Sequence, residues 1–178
     1  PTRTPTPTAT LAPGVFVMNN STTRPSSSYR YVLGEILNNT QYYLKYVNVR
    51  VNFYDGAQLV ETDYAYTHLD NVHPFEKVCF SIILTNPPNW TSYSFEPVQY
   101  STTGAARPNL AITTQSGSLY GGSYYRIIGQ IRNDEPALIQ YVSAVATMYN
   151  AAGLVLECDY GYVGSTALAP GQVSSFDI

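Results

Sequence analysis

The chain has 178 residues, 44% of them apolar and only 12% charged, with nine Lys and Arg against twelve Asp and Glu for a formal net charge of −3. The apolar share suffices for a core, which excludes disorder throughout, and charge at about half the usual share leaves a surface that is polar without being ionic. No basic cluster offers a footprint for a phosphate backbone, which excludes nucleic acid, and no run of about 18 apolar residues is present to cross a membrane as a helix.

The chain opens on PTRTPTPTAT, in which Pro alternates with Thr. Pro fixes φ and lacks an N–H, so residues 1–12 are expected to form an extended Thr/Pro-rich stalk or linker. A start at Pro1 rather than Met points to a processed form whose signal peptide or anchor lies upstream, and Thr/Pro stalks sit outside the cytoplasm. The expected location is extracellular or in the cell envelope. Four Asn-x-Ser/Thr sequons make Asn19, Asn20, Asn38 and Asn89 candidate glycosylation sites there.

Beyond the stalk the hydrophobic period is two. Val32, Gly34 and Ile36 mark the inward side of one strand, and Val47, Val49, Val51 and Phe53 alternate with Asn48, Arg50 and Asn52 along the next. The sequence DGAQ is turn chemistry, after which Val60, Thr62, Tyr64 and Tyr66 are expected to share one face. A strand around Phe80 and an extended run, YSFEPVQY, close the first half; no stretch has the period of a helix.

The pattern then returns. Gly34 recurs as Gly129, Asn38 as Asn133 and Tyr54 as Tyr149, each 95 residues on; after one inserted residue in the turn, Asp63 recurs as Asp159 and Phe80 as Phe176. Units of this length close their own cores, unlike solenoid repeats, so the boundaries fall at 13–107 and 108–178. The expected fold is all-β: two tandem antiparallel sandwiches of about seven strands each, immunoglobulin-like in size and pattern. The second unit stops at Ile178, the counterpart of Ile82, without an equivalent of the last run of the first. Its final strand is therefore expected to be supplied by residues beyond Ile178 or by a neighbouring molecule, because a bare strand edge leaves backbone groups unpaired.

The runs YVLGEILNNT, YVNVRVNFYDGAQLV and HPFEKVCFSI resemble the FxLYD family of small immunoglobulin-like domains of secreted and envelope proteins. The naming motif stands here as Val51-Asn52-Phe53-Tyr54-Asp55 and, more loosely, as Ala146-Thr147-Met148-Tyr149-Asn150, with Gly34, Ile36 and Asn38 repeated as Gly129, Ile131 and Asn133. Pro170-Gly171 keeps the family's Pro-Gly, while the first unit has Pro74-Phe75. The resemblance implies an immunoglobulin-like sandwich with an extracytoplasmic accessory role, and it brings no catalytic residues.

Residues with chemical potential are few. Glu61 with Asp63, and Glu157 with Asp159, place carboxylates two apart, here read as an outward strand face whose charge discourages edge pairing rather than as an acid/base pair or cation site. His68, Asp70 and His73 lie in HLDNVH, but the second unit has GSTALA in the corresponding place, so no metal is expected. Cys79 corresponds to Ser175 and Cys158 to Thr62; with Cys158 placed inward beside Tyr160 and Cys79 pointing opposite to Phe80, two free thiols are expected. No nucleophile–base grouping appears, and no enzyme activity or cofactor is expected.

Seventeen tyrosines against two lysines mark the surface. Tyr gives large contact area at low entropic cost, and Tyr31, Tyr46, Tyr54, Tyr141 and Tyr149 fall on outward positions. The expected function is a non-enzymatic structural or assembly module that docks through Tyr- and Asn-rich sheet faces to like subunits, as a surface filament or array, or to a larger envelope complex. The alternative is a carbohydrate- or cell-wall-binding module with Trp90 and Tyr93 as a stacking platform. Tyrosines spread along whole faces, rather than gathered in one groove, favour the first.

Overall fold

The computed structural model describes residues 12–26, 28–122 and 124–178, and the expected Thr/Pro stalk lies almost wholly outside them. The described residues form strands joined by turns, with no helix. The first half carries β1 (Gly14–Val17), β2 (Thr22–Ser26), β3 (Tyr29–Asn39), β4 (Tyr43–Asp55), β5 (Gln58–Tyr66), β6 (Asn71–Val72), β7 (Lys77–Thr85), β8 (Ser92–Phe95) and β9 (Gln99–Thr103). The second carries β10 (Leu110–Tyr120), β11 (Tyr124–Asn133), β12 (Ile139–Gln140), β13 (Ser143–Tyr149), β14 (Val155–Tyr162), β15 (Ala167–Leu168) and β16 (Val173–Asp177).

The first half is β-sandwich-like. One antiparallel sheet is centred on β3, with β1 and β2 along one edge and β7 along the other. The second is centred on β4, with β5 and β6 on one edge and β8 and β9 on the other. The alternation explains both: Val32 and Ile36 on β3, Val78, Phe80 and Ile82 on β7, and Val49, Val51 and Phe53 on β4 are buried in one continuous core. Burying such side chains contributes about 1.5–3 kcal/mol each.

Cross-strand registers repeat as the sequence does. Gly34 opposes Phe80 and Gly129 opposes Phe176; Asn52 opposes Thr62 and Thr147 opposes Cys158. A bulge interrupts the first hairpin between Phe53 and Tyr54, and another the second between Met148 and Tyr149. Even the sheet-to-sheet corner recurs, as the isolated bridges Thr67 with Phe80 and Val163 with Phe176. The halves differ at one edge. Among the described residues β13 pairs only with β14, whereas β4 also holds β8, whose Tyr93 and Phe95 pack on the core. The open side of the second half is a groove of about 460 Å³ lined in part by Ala144, Ala146, Met148 and Phe176.

The bulge corrects one reading of the hairpin. Period-two counting from Val60 places Tyr64 and Tyr66 inward, but the extra residue at the bulge flips the parity, so Ala65 lies opposite Val49 and both tyrosines are exposed. Asp63 and Glu61, read as outward, instead lie opposite Val51 and Phe53, on an edge strand where their carboxylates still reach water. A mid-strand glycine on an inward face calls for a bulky aromatic over its bare backbone, and the sequence offers Tyr64 or Tyr66 and Tyr160 or Tyr162 as lids; the lids exist, but none of these four supplies them. Phe80 covers Gly34, with its Cζ 2.7 Å from where a Cβ would stand, and Phe176 covers Gly129. Gly34→Val is expected to cost about 1–3 kcal/mol by overpacking a ring that has no room to retreat, read as a lower midpoint in urea; an unchanged midpoint would show the ring free to move.

Candidate functional site

The outward face of the β2–β3–β7 sheet is the most elaborated surface of the first half, and the second half sits on it. β14 packs across β3, β7 and β2. The alternation that buries Val32 and Ile36 inward turns Leu33 and Glu35 outward, yet both are buried, Glu35 being 2% exposed. Tyr149 donates its hydroxyl to Glu35 Oε1 at 2.5 Å, and Asn20 Nδ2 donates to Oε2 at 2.5 Å. A buried carboxylate with two charge-assisted hydrogen bonds is satisfied, and it fixes where Tyr149 must lie.

Around it the contact continues. The Val155 amide donates to Asn20 O at 2.9 Å, the Thr22 hydroxyl donates to Val155 O, and Arg24 pairs with Glu157 at 2.8 Å. Cys79 and Cys158 form a disulfide with their Cα atoms 5.9 Å apart, which overturns the expected free thiols. The strand parity of Cys79 was legible, since it turns away from the core beside Phe80. Cys158, expected inward, is on the outward face of the β13–β14 hairpin, and the docking that brings the two thiols together joins residues 79 apart in sequence.

The contact perturbs its titratable groups. Burial first, and the Glu35 hydrogen bond second, push the Tyr149 hydroxyl up to about 12, so it remains a donor at any physiological pH. His68, whose ring lies 5.7 Å from that of Tyr160, is held below the ordinary histidine value of 6.5 by burial, against the pull of Asp159 and Glu157. Burial and Arg107 push His73 down as well, Glu76 opposing. With folded values depressed, the unfolded chain binds more protons just below 6.5, so stability is full above that pH and falls as pH drops through the window. Thermal midpoints between pH 7 and pH 5 are expected to decline more for the native chain than for a His68→Gln/His73→Gln variant; parallel curves would remove the histidines from the account.

The expected surface residues are dispersed. Tyr149 is in the contact, Tyr31 lies beneath the Arg24 guanidinium at 4.6 Å, and Tyr54 is half-buried on the outer face of the first hairpin. Tyr46 and Tyr141, at equivalent places, are 66% and 77% exposed and share left-handed backbone, with φ of 53° and 55°. Strained tyrosines repeated at one place are position-specific features of the chain rather than chance. Trp90 and Tyr93 are half-buried, with ring centroids 5.2 and 6.2 Å from that of Phe53. Of the sequon asparagines, Asn19 and Asn89 are exposed, Asn20 is bonded to Glu35, and Asn38 is fully buried with its Nδ2 donating to Tyr42 O and His73 O. The two histidines occupy separate places, His73 accepting from the Arg107 amide.

Sequence reasoning missed Glu35 and Leu33, and it read Asn20 only as a glycosylation candidate. The available signal was a single carboxylate inside the apolar run VLGEIL, where the second half has Gln130. A lone charge in a run buried on one side requires a partner on the other. No protein-family model matches the chain, and no curated protein matches it.

Proposed function

We propose that the chain is a non-enzymatic, extracytoplasmic assembly module made of two immunoglobulin-like domains of the FxLYD kind, docking through outward sheet faces to like subunits or to a larger envelope complex. One observation carries the reading: the outward face of β2–β3–β7 already serves as a docking face, for the second half of the same chain, through Glu35, Tyr149 and the Cys79–Cys158 bond. One outward sheet face of this protein thus accepts another sheet, which supports docking as the use of the others. A disulfide fits an oxidising compartment, and among the described residues no helix is long and apolar enough to cross a membrane. Trp90 and Tyr93 lie against Phe53 instead of standing free, which weighs against the carbohydrate reading.

Strand donation is a second route to assembly, favoured by the open edge of β13 and the groove beside it. A peptide copying Thr91–Val98, whose own segment fills that place in the first half, is expected to raise the melting temperature of the chain. No shift at saturating peptide would remove this route.

Light scattering over a concentration series tests the main reading. Mass that grows with concentration supports it, and a monomer up to the solubility limit overturns it.

A further inference from the structure

We infer that a second copy of this chain docks head to tail, its first-half hairpin β4–β5 seating on the outward face of β10–β11–β16, in a repeat of the contact that already joins the two halves. The inference rests on the assembly reading and specifies its surfaces.

The contact between the halves is heterologous: a hairpin from one meets a sheet face of the other. Each half therefore keeps the part it does not use. On the accepting side, the registers make Leu33, Glu35 and Cys79 equivalent to Ile128, Gln130 and Ser175. Leu33 is 0% exposed beneath β14, while Ile128 is 47% exposed, with Gln130 and Ser175 also open to solvent. This face holds a shallow groove of about 650 Å³.

On the donating side, Tyr149, Val155 and Cys158 are equivalent to Tyr54, Leu59 and Thr62. Val155 is 0% exposed in the contact, and Leu59 is 52% exposed without it. Apolar side chains buried in the one instance of the contact thus stand bare at both of its unused counterparts. Isolated exposed Leu and Ile need no explanation, but two that are complementary under the chain's own repeat do.

The polar groups also have counterparts. Tyr54 would offer its hydroxyl to the Gln130 carbonyl oxygen, where Tyr149 meets Glu35. Arg24, which pairs with Glu157, has no basic counterpart on β10, where Ser118 stands; but Ser118 faces Arg126 across the strand pair, as Arg24 faces Tyr31. The cation has moved one strand over to Arg126, which pairs with Asp177 on the same face, so Glu61, the counterpart of Glu157, would share the guanidinium with Asp177. Ser175 and Thr62 replace the two cysteines, so the repeated contact is non-covalent and reversible. A heterologous contact that does not close generates an open string of copies.

Cysteine placement tests this directly. The single variants Thr62→Cys and Ser175→Cys, each retaining the native disulfide, are mixed and exposed to mild oxidant. A mixed dimer on non-reducing gels, absent from either variant alone and lost when Ile128→Glu is added to the Ser175→Cys partner or Leu59→Glu to the Thr62→Cys partner, is the expected result. Both glutamates replace exposed residues, and unchanged circular dichroism confirms the fold. Without a mixed dimer, or with equal yields in the unmixed variants, the inference fails. Oligomers by light scattering without the mixed dimer would leave assembly standing and overturn these two faces; a monomer at every concentration overturns both.

Discussion

Reducing the Cys79–Cys158 bond, or replacing both cysteines with serine, is expected to lower the stability of the chain by about 4 kcal/mol, since the bond closes a loop of 79 residues and so restricts the unfolded ensemble strongly. The loss should not fall evenly. Among the described residues the first half has a core of twelve buried apolar side chains, including Phe53, Phe80, Ile36 and Leu44, and the second a core of six. Without the covalent tie, the smaller core depends on Glu35, Tyr149 and Arg24 to remain docked. Urea unfolding followed by tyrosine fluorescence is expected to show one transition for the oxidised chain and two for the serine variant, with the second half melting first. Coincident curves for oxidised chain and serine variant would show that the bond adds nothing to the docked contact.

The second large effect is predicted for Asn38→Ala, at about 3 kcal/mol. Asn38 is fully buried, and its amide closes the connection between β3 and β4: Nδ2 donates to Tyr42 O and His73 O at 2.8 Å each, while Oδ1 accepts from the Thr40 amide and hydroxyl. Alanine removes four hydrogen bonds at once, two given by Nδ2 and two received by Oδ1, and each is worth about 0.5–1.5 kcal/mol. Asn133 repeats the device, donating to Ala137 O and Leu168 O, and Asn133→Ala is expected to act similarly. Chemical denaturation of both variants checks the prediction. A loss below that of an ordinary surface substitution would mean that water replaces the amide. The same geometry bears on glycosylation, because both Nδ2 hydrogens of Asn38 are already committed inside the fold.

Asn38 and Asn133 also show how far local reading reaches. Their recurrence 95 residues apart was legible, but Asn38 was read as a glycosylation candidate, and the backbone-holding role of both came from the structure. Likewise, mid-strand glycines at Gly34 and Gly129 implied aromatic covers. Their identity was missed because the residue opposite a glycine is set by strand pairing, and because one bulged residue, Val60 opposite the Phe53–Tyr54 step, turned Tyr64 and Tyr66 to the solvent side. A bulge leaves no mark in period-two counting until its neighbour strand is known.

What the sequence determined by itself was the all-β character, the strands and their repetition, because side-chain alternation and turn chemistry act within a few residues and are written locally. What only the tertiary structure decided was which outward face is not a surface. Leu33, Glu35 and Cys79 alternate with core residues as solvent-facing positions would, and they are buried where the β13–β14 hairpin, more than 60 residues away along the chain, docks over them, with Asn20 closing over Glu35. Docking of one sheet on another depends on the summed fit of two faces, and no local pattern encodes that sum. The disulfide, the Tyr149–Glu35 bond and the depressed His68 follow from that docking and became visible together.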